Sequence, residues 1–277
     1  MKPIYLLLLA LLLPLLTHAQ SKAQLKEEIA KVVHFDTKIT HDEIPGYVIG
    51  IIVGDSMFTY GYGQIAKEIE QVPDENSLFE VGSVTKLFTA SLAGLLADEG
   101  VFSHDSPLND CLPKKYRNSK LDHVTIGSLL THTSGLPKIP NSIGLYEEET
   151  NNPYAHYSKE LLLDYYSDFV PETQYLPVSR KKKKRKAKKA KPSEKLKEKQ
   201  VDYIYSHLNY ALLEVAMEHV TGQTYEALMQ DRVFSKVGMH QSLTQCTSGE
   251  EAERLTPGYA RNGLKAAPRN VASFGGT

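Results

Sequence analysis

A serine and a lysine stand three residues apart in the stretch Gly82-Ser83-Val84-Thr85-Lys86. On a helix, two side chains at this spacing lie on nearly the same face, one turn apart. A lysine amine that close can accept the proton of the serine hydroxyl, which makes the serine a nucleophile. The alternative without catalysis is a serine that caps the helix beside a solvated lysine. Spacing alone favours this alternative, because short motifs give many false matches.

The elements that must position this pair can be read from the apolar pattern. Apolar residues recur at helical spacing after Ser83 and a glycine follows them, which predicts a helix that ends at Gly100. Its N-terminus would favour any negative charge that develops near Ser83. Upstream, residues 47–53 are rich in β-branched side chains and predict a strand. Residues 57–62, beyond a Gly-Asp-Ser turn, predict its hairpin partner.

Further helices are predicted on both sides of these elements. An amphipathic pattern covers residues 23–33, and a short helix within residues 121–137 ends in a loop. Residues 161–166 are apolar enough for another helix. A stripe of apolar residues from 208 to 220 predicts a longer helix that stops at glycine 222, with threonine 224 as the cap of a further one.

The charge of the chain is concentrated in one segment. The 277 residues carry a formal charge of -1, but residues 180–199 hold 13 of the 32 basic and 2 of the 33 acidic residues. The remaining chain has 19 basic and 31 acidic residues, a net charge of -12. The basic run lacks aromatic residues and the chain has no tryptophan, which argues against nucleic-acid binding. We expect a solvated loop at 180–200, with weak contact to anionic envelope components as the alternative.

The N-terminus predicts export. Lys2 is followed by a 13-residue apolar run and then Thr17-His18-Ala19, the pattern of a signal peptide over residues 1–19. The protein is therefore expected in the periplasm or outside the cell. In that compartment Cys111 and Cys246 could form a bridge, although two buried free thiols are favoured. No cofactor is expected, and no cluster of cysteine and histidine has the spacing of a metal site.

Several segments resemble the serine β-lactamase and penicillin-binding protein superfamily. The segment Phe79 to Ala90 resembles its active-site helix, and the likeness is strongest to the branch of class C β-lactamases, D-alanyl-D-alanine carboxypeptidases and esterases. Gly61-Tyr62-Gly63, His132-Thr133-Ser134-Gly135 and Val237-Gly238-Met239 follow in the order of that branch. The resemblance covers roughly residues 40–277, and it implies that Ser83 is the nucleophile and Lys86 its proton acceptor.

The resemblance also implies a third catalytic residue. The branch carries Tyr-x-Asn before a helix, and here Tyr205-Ser206-His207 occupies that place. Tyr205 would then exchange protons with Lys86, since a tyrosine beside a cationic lysine has a lowered pKa. His207 replaces the asparagine and is expected to bind substrate, because neutral imidazole also offers one donor and one acceptor. That departure could keep the hydrogen bond, alter specificity or mark a decayed site.

Two further segments bear on the site. Ser134 could be mistaken for a catalytic serine, but it lacks a Gly-x-Ser-x-Gly elbow and is predicted to belong to a structural loop. The branch also has a Lys-Thr-Gly or His-x-Gly strand that supplies the second oxyanion N–H, and no such motif occurs before the chain ends at residue 277. We therefore expect residues 20–277 to form a domain that lacks its C-terminal part. Loss of one oxyanion donor raises a barrier by about 3 to 4 kcal/mol.

The resemblance implies an α/β (α+β) fold of the β-lactamase/transpeptidase type. A helical subdomain would pack on an antiparallel sheet that lacks its C-terminal strands, with Ser83 in the cleft. The expected activity is that of a serine hydrolase that acts through an acyl-enzyme on a peptide, β-lactam or ester. The alternative is a catalytically impaired envelope protein of the same fold, which binds a partner or an anionic polymer through its basic loop.

Overall fold

The chain forms two compact units in the computed structural model. The first unit holds the described residues up to Ser77 together with those of Thr256–Lys265, and the second holds those of Leu78–Leu255 together with Ala266. The structure describes residues 24–25, 27–32, 44–140, 157–171, 203–246, 249–259 and 263–266. The predicted signal peptide, the basic loop and the C-terminal residues 273–277 lie outside the described residues, so those predictions stay predictions.

The first unit contains the predicted hairpin. Strand β1 (Gly46–Val53) pairs antiparallel with strand β2 (Ser56–Gly63) along its whole length. The two strands are joined by a two-residue turn in which Gly54 has φ +58°, a conformation that glycine adopts without steric cost. A Cβ at Gly61 would lie 1.6 Å from the carbonyl oxygen of Pro73, so a glycine is required there. The helical residues 24–25 and 27–32 agree with the amphipathic helix predicted over 23–33.

The second unit is helical and carries the residues of interest. Its α-helices are α1 (Thr85–Asp98), α2 (Ile126–Leu130), α3 (Lys159–Asp168), α4 (His207–Thr221), α5 (Tyr225–Leu228) and α6 (Gly249–Arg254). Short 3-10 turns occupy Gly82–Val84, Leu108–Cys111, Lys114–Tyr116, Ser119–Leu121 and Ser235–Val237, and a π-helical turn occupies Met229–Phe234. The helices predicted after Ser83, within 121–137, over 161–166 and over 208–220 are all confirmed. The helix predicted after threonine 224 is α-helical for one turn only and continues as the π-helical turn.

Helix α4 is the centre of the core. Helices α1, α2 and α3 all pack against it, and Leu208, Leu212 and Leu213 on α4 are completely buried. Leu92 and Leu96 contribute the facing surface from α1. Truncating one such leucine to alanine typically costs about 2 to 5 kcal/mol. Packing therefore holds α1 and α4, the two helices at whose N-termini the site residues lie.

Local hydrogen bonds determine where the helices begin and end. The side chain of Ser206 accepts the backbone N–H of Asn209 at 3.1 Å and caps α4, and Gly222 ends that helix with φ +69°. Thr125 and Ser128 form a reciprocal capping box at the start of α2. The predicted stop of α4 at glycine 222 is therefore confirmed, and the cap places Tyr205 directly before the helix and His207 at its first position.

The buried face of α1 differs from a simple apolar stripe. Lys86 and Thr89 lie on its buried face together with three apolar residues, whereas Val84 and Leu87 are more than half exposed. Because the helix is apolar on most sides, the sequence pattern predicts that a helix forms but not which of its faces is buried. The buried position of Lys86 is the feature that matters for chemistry.

Cys111 and Cys246 do not form a disulfide in the structure. Cys111 is buried as predicted, but Cys246 is only half-buried, so the prediction of burial is wrong for that thiol. Cys246 lies in an irregular segment after Ser235–Val237, where less of the chain packs over it. Within the described ranges, no helix is both long and apolar enough to cross a membrane.

Candidate active site

The side chains of Ser83 and Lys86 meet at the N-terminal end of α1. Ser83 lies in the 3-10 turn Gly82–Val84 and is exposed, while Lys86 is 7% exposed. The Lys86 ammonium donates a hydrogen bond to Ser83 Oγ at 3.3 Å. The structure therefore realises the geometry that the three-residue spacing predicts, with an accessible hydroxyl above a buried amine.

Tyr205 reaches the same oxygen from a different part of the chain. Its hydroxyl donates a hydrogen bond to Ser83 Oγ at 2.8 Å, across 122 residues of sequence. Lys86 Nζ lies 5.0 Å from the centroid of the Tyr205 ring and 5.4 Å from that of Tyr210, so two aromatic faces surround the amine. The structure thus brings together Ser83, Lys86 and Tyr205, the three residues predicted to be catalytic.

The surroundings of Tyr205 favour its ionised form. Burial raises the pKa of its phenol, but hydrogen bonds with Ser83 and Lys86 act in the opposite direction. The positive charges of Lys86 and Lys138 add to this effect, and the net result is a pKa below the ordinary value for tyrosine. A phenol with a lowered pKa is a suitable general base at moderately alkaline pH. Sequence reasoning missed Lys138, since a lysine on an exposed loop carries no signal of its position in space.

His207 lies beside this group rather than within it. It is the first residue of α4, and its backbone N–H donates to the carbonyl oxygen of Lys138 at 2.8 Å. Its ring meets the ring of Tyr205 edge-on, with the centroids 5.3 Å apart. The histidine is therefore adjacent to the predicted base, and its assignment to substrate binding stays a prediction.

Ser134 has a structural role in the described part of the chain. It is 2% exposed, and its hydroxyl donates to Asn209 Oδ1 at 2.8 Å while accepting the Leu136 N–H at 3.1 Å. The Asn209 amide in turn donates to the carbonyl oxygen of Leu129 at 3.2 Å. These bonds join the loop after α2 to the first turn of α4. The expectation that Ser134 is a loop residue agrees with this geometry.

The described residues offer no site for a metal ion, because no group of three or more histidine, cysteine, aspartate or glutamate side chains converges among them. The second Ser-x-x-Lys match of the chain, at Ser179, lies outside the described residues. What the described arrangement can do chemically is transfer protons around one hydroxyl: an exposed serine oxygen is contacted by an amine and by a phenol.

Comparison with known proteins defines the class. A family model described as Beta-lactamase matches residues 34–276. The chain is 27% identical over 198 residues to a β-lactamase of Pseudomonas fluorescens, covering 71% of this chain and 45% of that protein. It is 27% identical over 212 residues to penicillin-binding protein 4 of Amycolatopsis lactamdurans, covering 76% of this chain and 47% of that protein.

Solved structures agree on the fold. A β-lactamase/D-alanine carboxypeptidase from Yersinia pestis matches with a TM-score of 0.63 at 21% identity, over 86% of this chain and 59% of that one. A class C β-lactamase in complex with cefoxitin matches with a TM-score of 0.66 at 22% identity, over 92% and 61%. The fold is therefore that of the β-lactamase/transpeptidase class, as the sequence resemblance predicts.

The chain belongs to the Beta-lactamase family, since the family model covers far more than half of it. It spans about half the length of the curated relatives it matches.

Proposed function

We propose that this chain is a serine hydrolase in which Ser83 attacks a carbonyl carbon and forms an acyl-enzyme. The observation that carries the proposal is the convergence of two proton-transferring groups on Ser83 Oγ, with Lys86 Nζ at 3.3 Å and the Tyr205 hydroxyl at 2.8 Å. The Tyr205 distance lies within the range of about 2.6 to 3.2 Å in which a base can accept the serine proton, and the Lys86 distance lies just beyond it. Family membership supports the same assignment.

The first half-reaction is acylation. Tyr205, in its phenolate form beside cationic Lys86, accepts the proton of Ser83 as the bond from Oγ to the carbonyl carbon forms. The proton then passes to the nitrogen or oxygen of the leaving group as its bond to that carbon breaks. Positioned general acid–base catalysis of this kind contributes about 10²- to 10⁴-fold to a rate. The positive end of the α1 dipole lies where negative charge develops on the substrate.

The second half-reaction is deacylation by water. Tyr205 accepts a proton from the water molecule as it attacks the acyl carbonyl. The tetrahedral intermediate collapses, the ester bond to Ser83 breaks, and the proton returns to the serine oxygen. The exposure of Ser83 supports this step, because an acyl group on its oxygen would be open to water.

The proposed substrates are a β-lactam, a D-alanyl-D-alanine peptide or a small ester. Relatives named β-lactamase and penicillin-binding protein 4 support a β-lactam, and the resemblance of the sequence to the D-alanyl-D-alanine carboxypeptidase and esterase branch supports the other two. We propose that His207, edge-on to Tyr205, contacts the substrate amide.

The intact geometry at Ser83 favours the hydrolase over an impaired binding protein of the same fold, whose basic loop at 180–199 lies outside the described residues. We also propose export through the predicted signal peptide at residues 1–19. The N-terminal residue of the exported protein tests this: residue 20 is expected, and a retained Met1 contradicts it.

Intact mass after treatment with a fluorophosphonate and, separately, with a penicillin tests the proposal, with Ser83→Ala as the control. A stoichiometric adduct that the control lacks is the expected result. Labelling by penicillin would indicate a β-lactamase or a peptidase, and labelling by the fluorophosphonate alone would indicate an esterase. A folded chain that reacts with neither reagent contradicts the proposal.

A further inference from the structure

His132 has an unusual backbone conformation close to the site. Among the residues that the structure describes, it is the non-glycine residue with a positive φ, at +57°, and it is 8% exposed. A left-handed conformation is sterically unfavourable for a residue with a Cβ. Strain of this kind persists only where surrounding contacts over-determine it, and it marks functional sites more often than others.

The contacts of His132 flank Tyr205 on both sides. Its backbone carbonyl oxygen accepts the N–H of Ile204 at 3.0 Å, and its Nδ1 accepts the N–H of Ser206 at 3.1 Å. One residue therefore binds the backbone N–H groups of the two residues that flank the predicted base. The left-handed turn at His132 is what allows its carbonyl and its ring to point at the same short segment.

The imidazole also packs on the side chain that it flanks. Its centroid lies 4.7 Å from that of the Tyr205 ring, tilted by 43°, and 5.6 Å and 5.2 Å from those of Tyr203 and Tyr210. The three tyrosines enclose the histidine while Tyr205 extends past it to Ser83. Rotation of the Tyr205 ring is thereby restricted from the side that faces the loop after α2.

The hydrogen bond to Ser206 requires a neutral ring. An imidazolium has two N–H donors and no acceptor, so a proton on Nδ1 would oppose the Ser206 N–H. The titratable groups that face His132 are Lys86 from α1, Tyr203 and Tyr205 from the segment before α4, and Tyr210 from α4 itself. Burial, and then the charge of Lys86, lower the pKa of His132 below its ordinary value.

We propose that His132 is a positioning residue for acyl transfer. Its neutral Nδ1 and its backbone carbonyl hold residues 204–206 so that the Tyr205 hydroxyl stays within hydrogen-bond distance of Ser83 Oγ. This inference rests on the proposed function and adds a residue that acts through Tyr205 without touching the substrate. It follows that protonation of His132 should release Ser206, displace Tyr205 and slow acylation at acid pH.

The test compares His132→Asn with His132→Gly. Both replacements tolerate a left-handed φ, but only asparagine has a side-chain oxygen that can take the place of Nδ1 as the acceptor. The acylation rate constant with a fluorophosphonate is measured for each protein from about pH 5 to about pH 9, a range that spans ordinary histidine ionisation. Thermal unfolding of the same samples reports any loss of folded protein.

The expected result separates positioning from general stability. The glycine variant should acylate about 100-fold more slowly than wild type, the penalty typical of a reacting group misplaced by about 1 Å, and the asparagine variant should stay within about fivefold. Both proteins should lose rate with falling pH as Tyr205 gains its proton, but wild type should show an additional loss below the pKa of His132. The asparagine variant should lack this additional loss, since an amide does not titrate there. Equal rates for both variants, or the same additional loss below the pKa of His132 in His132→Asn, would overturn the inference.

A second readout keeps the inference testable if wild type does not react. The phenol of Tyr205 is titrated by NMR with tyrosine labelled at Cζ, and Tyr205→Phe assigns its resonance. The pKa of Tyr205 should rise toward the ordinary value in His132→Gly and stay unchanged in His132→Asn. An unreactive wild type with this pattern contradicts the proposed function alone. A reactive wild type with the same Tyr205 pKa in both variants contradicts the inference alone.

Discussion

The most informative single substitution is Tyr205→Phe. It removes one oxygen atom that lies 2.8 Å from Ser83 Oγ, and it retains the ring that packs against His132 and lies beside Lys86. The change therefore deletes the proposed base while the aromatic packing of the site is kept.

The size of the effect follows from what the hydroxyl does. A hydrogen bond to a charged group contributes about 1.5 to 3 kcal/mol, which corresponds to roughly 10- to 150-fold in a rate. General-base catalysis contributes about 10²- to 10⁴-fold. Because the cationic Lys86 still lies 3.3 Å from Ser83 Oγ and stabilises negative charge on that oxygen, part of the rate should remain, and we expect acylation to fall by about 10²- to 10³-fold. Stability should change by no more than about 1 kcal/mol, the contribution of one neutral hydrogen bond.

The assay is the rate of labelling by a fluorophosphonate as a function of pH. Tyr205 acts as a base only after losing its proton, so the wild-type rate should rise with pH through a midpoint below the ordinary tyrosine value of about 10. The variant should lose that limb of the profile. The matched control is Tyr203→Phe, which removes the same atom from an exposed tyrosine two residues away. If Tyr205→Phe is labelled at a rate within about threefold of this control, Tyr205 is not the general base.

Three further substitutions separate roles within the site. Lys86→Met should slow labelling by at least about 10²-fold and move the alkaline limb to higher pH, because the pKa of Tyr205 rises when the cation is removed; an unchanged limb would contradict the coupling. Ser134→Ala should cost about 1 to 3 kcal/mol in the free energy of unfolding, measured with denaturant, because Asn209 loses a buried partner. The labelling rate per folded molecule should not change, and a loss of labelling in the folded variant would contradict a structural role. His207→Asn should alter the ratio of penicillin to fluorophosphonate labelling by about tenfold, while equal effects on both reagents would argue against a substrate contact.

The sequence predicts one half of the site from local geometry and the other half only through resemblance. Ser83 and Lys86 are one turn apart on a helix, so their contact follows from the spacing of the residues. Tyr205 is 122 residues away from Ser83, and no periodicity predicts that they meet. Its assignment depended on the order of motifs shared with the family, and the structure places its hydroxyl on Ser83.

Other features could not have been predicted because they depend on tertiary packing. The apolar pattern of α1 predicts a helix, but not that Val84 and Leu87 are exposed while Lys86 is buried. The left-handed backbone of His132 and its two hydrogen bonds to the segment of Tyr205 arise from the meeting of two loops. Histidine has no strong preference that would reveal such a position in a sequence.

The central claim is that Ser83 is the nucleophile, and peptide mapping of the fluorophosphonate adduct tests it most directly. The chain is labelled to completion and digested, and the modified residue is located by fragmentation mass spectrometry. Ser83 should be the one modified serine, and Ser134 should be unmodified. An adduct on Ser134, on Ser179 just before the basic segment, or spread over several serines would contradict that claim.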